Sequence, residues 1–254
     1  MKRVARVLAA LAFWLGVWAF AAWRLNSPLL LPSPLRVAGC LWELMGHTSF
    51  WLTTGASLAR VLWGVVLAVA LGIVLAALTE AFSWLNSLLS PLLTVIKSTP
   101  VASFIILAIL WMGRDQVPVF IVILMALPVV WANIAAGIRT TDRDLRQMAK
   151  VYQFPLTRRL RRIWIPSVMP YFLSACRTSL GLAWKAGIAA EVLTVPANSI
   201  GKMLYTSKLN WEVEELFAWT LLVIVLSLAI EQGILALLGR AGKAYNARGG
   251  GQSG

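Results

Sequence analysis

Four ionisable residues interrupt stretches of this sequence that are otherwise apolar: Lys97, Arg177, Lys185 and Glu191. A charged side chain at the centre of a membrane helix costs about 2.5–3.5 kcal/mol on insertion scales. Such residues therefore face a bundle interior or water, and they mark the path of a solute or ion. Three cations against one carboxylate favour an anionic solute. Lys185 is the most central of the four. The competing reading is an internal ion pair that orders the helices. Lys185 and Glu191 are six positions apart, which one helix does not place face to face, so pairing would need another segment or a second copy. Covalent chemistry is poorly provided for. There is no GxSxG and no HExxH, and Gly201-Lys202 lacks both the upstream glycine and the Ser/Thr of a nucleotide-binding P-loop. The single His47 cannot build a His-based metal site, and Cys40 and Cys176 lie far apart without a CxxC. The chain reads as no enzyme, with no cofactor or metal of its own.

A second constellation runs from Thr140 to Pro170 and is the one long polar insert in the sequence. Leu145, Met148, Ala149 and Tyr152 fall at i, i+3, i+4 and i+7, which lines one face of a helix. Arg143, Arg146, Gln147 and Lys150 repeat the spacing on the other face. Thr141 with Asp144 three residues on reads as a capping box that starts this helix. Pro155 ends the pattern and suits the first position of a second helix. There Leu156, Leu160, Ile163 and Trp164 form a new apolar stripe, flanked by Arg158, Arg159, Arg161 and Arg162. The expectation is two short amphipathic helices joined at Gln153-Phe154-Pro155. Such a basic pair suits either a protein cleft or an anionic lipid surface.

The elements that must position these residues are membrane helices. Of 254 residues 59% are hydrophobic and only 13% are charged, too apolar for a soluble domain. The formal net charge of +13 collects in the gaps between apolar runs instead of forming a nucleic-acid patch. The reading is an all-α polytopic membrane protein, one transmembrane domain over 1–254 with six spans. The first is 7–23, read as uncleaved although it resembles a signal peptide. The others are about 58–78, 88–111, 117–138, 171–192 and 216–238. A Pro-rich outer loop is expected over 24–55, a permease core over about 57–239 and a flexible Gly-rich tail over 241–254. With the amino terminus inside, 14 of the 23 Lys+Arg fall on the inner side, most of them in the basic loop between the fourth and fifth spans. Both termini are then cytoplasmic.

The spacing in the loop resembles the EAA loop of ABC importer permeases: Glu-Ala-Ala, three residues, Gly, nine residues, then Ile-x-Leu-Pro. The matching positions are Gln147, Met148 and Ala149, then Gln153, then Ile163 to Pro166. Gln147 stands where the family has Glu, and Gln153 stands where it has the turn glycine. The charged contact and the left-handed turn are thus the features that the sequence leaves open. Ser57 to Gly64 (SLARVLWG), Ala189 to Leu193 (AAEVL) and Leu31 to Pro34 (LPSP) are similar to stretches of the nitrate, sulfonate and taurine group. The resemblance covers about Leu31 to Glu231. It implies a permease subunit of a type I importer in a bacterial inner membrane, importing a small anionic solute such as a sulfonate, taurine or nitrate. It also implies a second copy of the chain, ABC ATPase subunits carrying ATP and Mg, and an extracytoplasmic binding protein. Leu145, Gln147, Met148, Ala149, Tyr152, Gln153, Pro155, Ile163 and Pro166 would then couple to the ATPase. Three rival readings are a permease for a vitamin or its precursor such as a thiamine pyrimidine, a stand-alone channel or secondary carrier, and a membrane scaffold without transport, which would leave the intramembrane charges unexplained. No internal inverted repeat favours the carrier.

Overall fold

Long runs of Leu, Ala, Val and Ile satisfy their backbone internally as helices, which is what hydrocarbon demands. The computed structural model describes residues 2–249 and holds no strand among them. Four stretches are long and apolar enough to cross a membrane: Ala5–Leu25, Thr48–Ala81, Val117–Arg139 and Val213–Gly233. They belong to helices α1 (Lys2–Leu25), α3 (Thr48–Ala81), α6 (Val117–Arg139) and α11 (Val213–Gly249). Between α1 and α3 lies α2 (Pro34–Met45), in sequence expected to be loop. Ser33 caps it, its Oγ accepting from the Arg36 N–H at 3.4 Å, and Pro34 fills the first turn. The expected outer loop over 24–55 is thereby corrected, and the second span begins at Thr48. The third span is broken into α4 (Ser83–Ser98) and α5 (Val101–Trp111), bent by 107° where Thr99-Pro100 interrupts the ladder. Where the fifth span was expected stands α9 (Ile165–Thr194), which is long enough to cross but, carrying Arg177, Lys185 and Glu191, is not among the stretches apolar enough to do so by composition. Helix α11 continues to Gly249 where a flexible tail was expected from 241; positions 250–254 of that tail lie outside the described residues.

The chain divides into two compact units. One comprises Ala59–Ala190 and Ser227–Gly254. Its core is α3, α6 and α9. A Cβ on Gly64 would stand 2.6 Å from Val122 Cγ1, and one on Gly72 would stand 2.7 Å from Val130 Cγ1. The two glycines thus let α3 lie directly on α6. The numbering rises together on both helices, so α3 and α6 run in the same direction. Side chains join them as well: Trp131 Nε1 donates to Thr79 Oγ1 at 2.9 Å, and Arg139 pairs with Glu80 at 2.7 Å in the last turns of the two helices. Helix α9 runs the other way, with Tyr171 against Gly137 and Gly187 against Val122. Ile105 and Ala108 of α5 close a buried cluster with Val117 and Ile121 of α6 and Ala186 and Ala190 of α9.

The other unit comprises Met1–Leu58 and Glu191–Leu226. Aromatic contacts hold it. Trp18 donates its indole N–H to the Pro32 carbonyl at 3.1 Å and stacks on Phe217, while Phe50 packs against Trp219 with ring centroids 5.1 Å apart. Arg36 pairs with Glu214 at 3.2 Å. The short helix α10 (Ile200–Leu209) completes it.

Candidate coupling loop and charged groups of the spans

The loop between α6 and α9 starts with helix α7 (Arg143–Val151). Its cap is Asp142, whose Oδ1 accepts from the Asp144 N–H at 2.8 Å. Thr141 is not the cap: its hydroxyl donates back to the Gly137 carbonyl at 3.1 Å and closes the end of α6. On α7 Ala149 is buried, 1% exposed. Leu145 and Met148 stay partly exposed and Tyr152 is 70% exposed, while Gln147 faces solvent. The predicted apolar face therefore exists, but only Ala149 is covered within the protomer.

The turn after α7 settles a point that the sequence left open. Gln153 takes the left-handed conformation, φ 47°. The Phe154 N–H reaches the Ala149 carbonyl at 3.0 Å, and the Gln153 N–H reaches that of Lys150 at 3.2 Å. These two bonds define a Schellman ending, which usually has glycine at this position. The turn geometry thus persists without the glycine. Arg158 lies over the Phe154 ring, 5.4 Å from its centroid, and Tyr152 tilts against the same ring.

Pro155 caps the next helix from outside and is not its first residue. That helix, α8 (Leu156–Arg159), does not stand alone. A π-turn over Leu160–Trp164 joins it to α9, giving one helical run from Leu156 to Thr194. The expectation of two separate short helices is corrected on this point. The widened turn precedes Pro166, whose ring would clash with the carbonyl four residues back in a regular helix. Ile163 is buried and Pro166 half-buried at this bend. Arg158, Arg161 and Arg162 are exposed around it.

The four charged residues of the spans have different surroundings. Lys97 is exposed in the last turn of α4, beside the α4–α5 break. Arg177 is exposed and pairs with Glu231 of α11, Nε to Oε1 at 3.8 Å. Lys185 is exposed on α9, on the same face as Ser174, Arg177, Thr178 and Leu182. Glu191 is 0% exposed; its Oε2 accepts from Ser57 Oγ at 2.7 Å and from the Gly201 N–H at 3.2 Å. Ser57 and Gly201 were not singled out as site residues from sequence. Ser57 is 134 positions from Glu191, so only an N-cap signal at Ser199, just ahead of Gly201, hinted at this junction.

A helical bundle with a broken span, a polar helix α9 and a capped basic elbow joining the antiparallel α6 and α9 is the architecture of a polytopic membrane protein of the permease class. Residues 68–239 match the family described as "Binding-protein-dependent transport system inner membrane component". The chain belongs to that family. It is 27% identical over 209 residues to the bicarbonate transport system permease protein CmpB of Synechococcus elongatus, covering 80% of this chain and 75% of the relative. It is 31% identical over 200 residues to the putative aliphatic sulfonates transport permease protein SsuC of Escherichia coli, covering 76% and 75%. Among solved structures its fold is similar to that of an amino acid ABC transporter crystallised with histidines, at a TM-score of 0.60 and 16% identity over 75% of this chain and 94% of that one. The protein is a permease subunit of an ABC importer, as the loop resemblance implied.

Proposed function

We propose that two copies of this chain form a two-fold pair around a path for a small organic or inorganic anion, each copy engaging one ATPase subunit through the 140–166 loop. Two ATPase sites need two coupling loops, and this chain supplies one. ATP and Mg belong to the ATPase subunits, and an extracytoplasmic binding protein delivers the solute. Closure of the ATPases moves the loops and opens the path outward; hydrolysis resets it. The loop and both termini lie on the cytoplasmic side of a bacterial inner membrane.

The exposed face of α9 is the observation that carries this reading. Ser174, Arg177, Thr178 and Lys185 form a polar stripe on a helix whose other faces are buried against α3 and α6. Cations turned toward hydrocarbon are costly, so this stripe faces a second copy or a water-filled path. Lys185 and Lys97 are the cations proposed to meet the solute, with Arg177 held toward Glu231. Glu191 is taken up by its own hydrogen bonds and is left out of the path. Relatives named for bicarbonate and aliphatic sulfonates suggest the anion class, with sulfonates and taurine first and nitrate or bicarbonate within the same chemistry.

The test is reconstitution with a cognate ATPase subunit and binding protein, followed by ATP-driven uptake of labelled taurine, ethanesulfonate and bicarbonate. At least one should accumulate, and Lys185→Met should lower that uptake about tenfold or more while the complex assembles normally. Uptake unaltered by Lys185→Met would remove this residue from the path.

A further inference from the structure

The Glu191 carboxylate sits where α9, α10 and the outer part of α3 meet within one unit. Three successive amides open α10, and each has a side-chain acceptor. The Ile200 N–H reaches Ser57 Oγ at 2.9 Å, the Gly201 N–H reaches Glu191 Oε2 at 3.2 Å, and the Lys202 N–H reaches Ser199 Oγ at 3.0 Å. Ser57 Oγ in turn donates to Glu191 Oε2 at 2.7 Å. Ser57, Glu191, Ser199 and Ile200 are all fully buried. A negative charge at the start of α10 is favoured by amides that have no acceptor within the helix and by the helix dipole. Gly201 is what permits the approach, because a Cβ there would run into Glu191 Cβ and the Glu191–Val192 backbone. Directly after α9, Val195 is held at φ 49°, an unfavourable value for a β-branched residue. A buried carboxylate and a strained turn are expensive features, retained only where the surroundings fix them.

We propose that Glu191 is a positioning residue of the transport cycle: with Ser57 it pins the start of α10 to the outer end of α9, so that α10 follows when α9 is moved from the coupling loop. The inference rests on the reading of 140–166 as that loop. Helix α9 belongs to one helical run that begins at Leu156, immediately after the Gln153 turn, and Glu191 lies in its last turn. A displacement entering at the turn is thus delivered by one helix to the carboxylate. Glu191 touches no solute in this scheme; it decides whether the segment between α9 and α11 moves with α9.

The test needs no knowledge of the solute. In the assembled complex with its ATPase, and with Cys40 and Cys176 replaced by Ser, spin labels are placed at Lys208 of α10 or at Lys150 of α7, both exposed. Copy-to-copy distances are then measured without nucleotide and after turnover of Mg-ATP with vanadate, which replaces the released phosphate and traps ADP in the ATPase sites. The wild-type background should show a shift at both sites. Ser57→Ala and Glu191→Gln, which keep the packing volume, should lose at least half of the shift at Lys208 and keep that at Lys150. Ser57→Thr, which keeps the hydroxyl, should restore it. A full Lys208 shift in both variants would overturn the proposal, as would a Lys208 label that never responds. A silent Lys150 label would instead overturn the coupling reading, and this proposal with it. A merely structural junction would lower the yield of complex without separating the two labels.

Discussion

Replacing Gln153 by Gly should stabilise the coupling loop. Gln153 is exposed, and its contribution to the turn is the backbone N–H that reaches the Lys150 carbonyl. Its cost is conformational. A φ of 47° puts a Cβ close to the following carbonyl, a penalty of about 1–2 kcal/mol for a residue other than glycine. Glycine removes that penalty but makes the unfolded turn more disordered, which returns up to about 1 kcal/mol. The net gain is about 0.5–1 kcal/mol, or a two- to fivefold lower population of the opened turn. The Phe154 amide, bonded to Ala149, reports that opening directly. Hydrogen exchange across residues 145–156 should therefore slow two- to fivefold in Gln153→Gly, while peptides from α6 exchange unchanged. Gln153→Val should act in the opposite sense, since a β-branched residue tolerates the left-handed region least. Faster exchange in Gln153→Gly, or equal exchange in both variants, would show that the side chain of Gln153 holds the turn and that the Schellman argument is wrong.

Three further perturbations follow from single contacts. Ala149→Glu places a carboxylate where the present side chain is 1% exposed; an unpaired buried charge costs several kcal/mol, so α7 should not form and the ATPase should no longer co-purify. Recovery of the ATPase at the wild-type ratio would count against the packing role of Ala149. Gly72→Ala should destabilise the purified protein by about 1–3 kcal/mol, because the new methyl meets Val130, and Val130→Ala should restore most of the loss; a lower melting temperature that Val130→Ala leaves unrepaired would refute this pairing. The Cys40 thiol is pushed up from its ordinary pKa, first by burial and then by the carboxylates of Glu215 and Glu214. A raised value means less thiolate at any given pH, so maleimide should label Cys40 more slowly than glutathione at pH 8, still gaining rate at pH values where glutathione has levelled off. Glu215→Gln should speed the reaction only partly, since burial remains.

What could be read from the residues, and what could not, divides by the range of the interaction. The apolar runs in α1, α3 and α6 show in composition alone, because a helix that faces lipid or a core must be greasy over its whole length. The elbow was legible through local periodicity, and Leu145, Met148 and Ala149 do share a face. Helix α2 was hidden because Pro32-Ser33-Pro34 looks like loop, although Ser followed by Pro is also a cap and first-turn pair. The turn at Gln153 was hidden for the opposite reason. Residue preference argued against a left-handed backbone, and two hydrogen bonds outweigh that preference. Glu191 shows the limit most plainly. Its hydrogen bonds to Ser57 and to the amide of Gly201 exist only once the fold brings them together, and no local pattern reports a partner 134 positions away.

The broken pair α4–α5 can be placed by direction alone. A helix pair bent by 107° suits either a span with a break or a loop that enters the membrane and returns. Gly64 against Val122 and Gly72 against Val130 fix α3 and α6 as parallel, and Glu80 with Arg139 fixes their last turns at the same level. The chain leaves α3 at that level and must enter α6 at the other end, so residues 82–116 have to cross. The bent pair is therefore one interrupted span. Its break falls at Ser98-Thr99-Pro100, where carbonyls and amides of a helical ladder are released and where Lys97 stands exposed. Non-helical backbone at membrane depth survives only against protein or water, which is the same condition that the polar stripe of α9 imposes. Two separate elements of one protomer thus make the same demand, for protein or water rather than hydrocarbon against them.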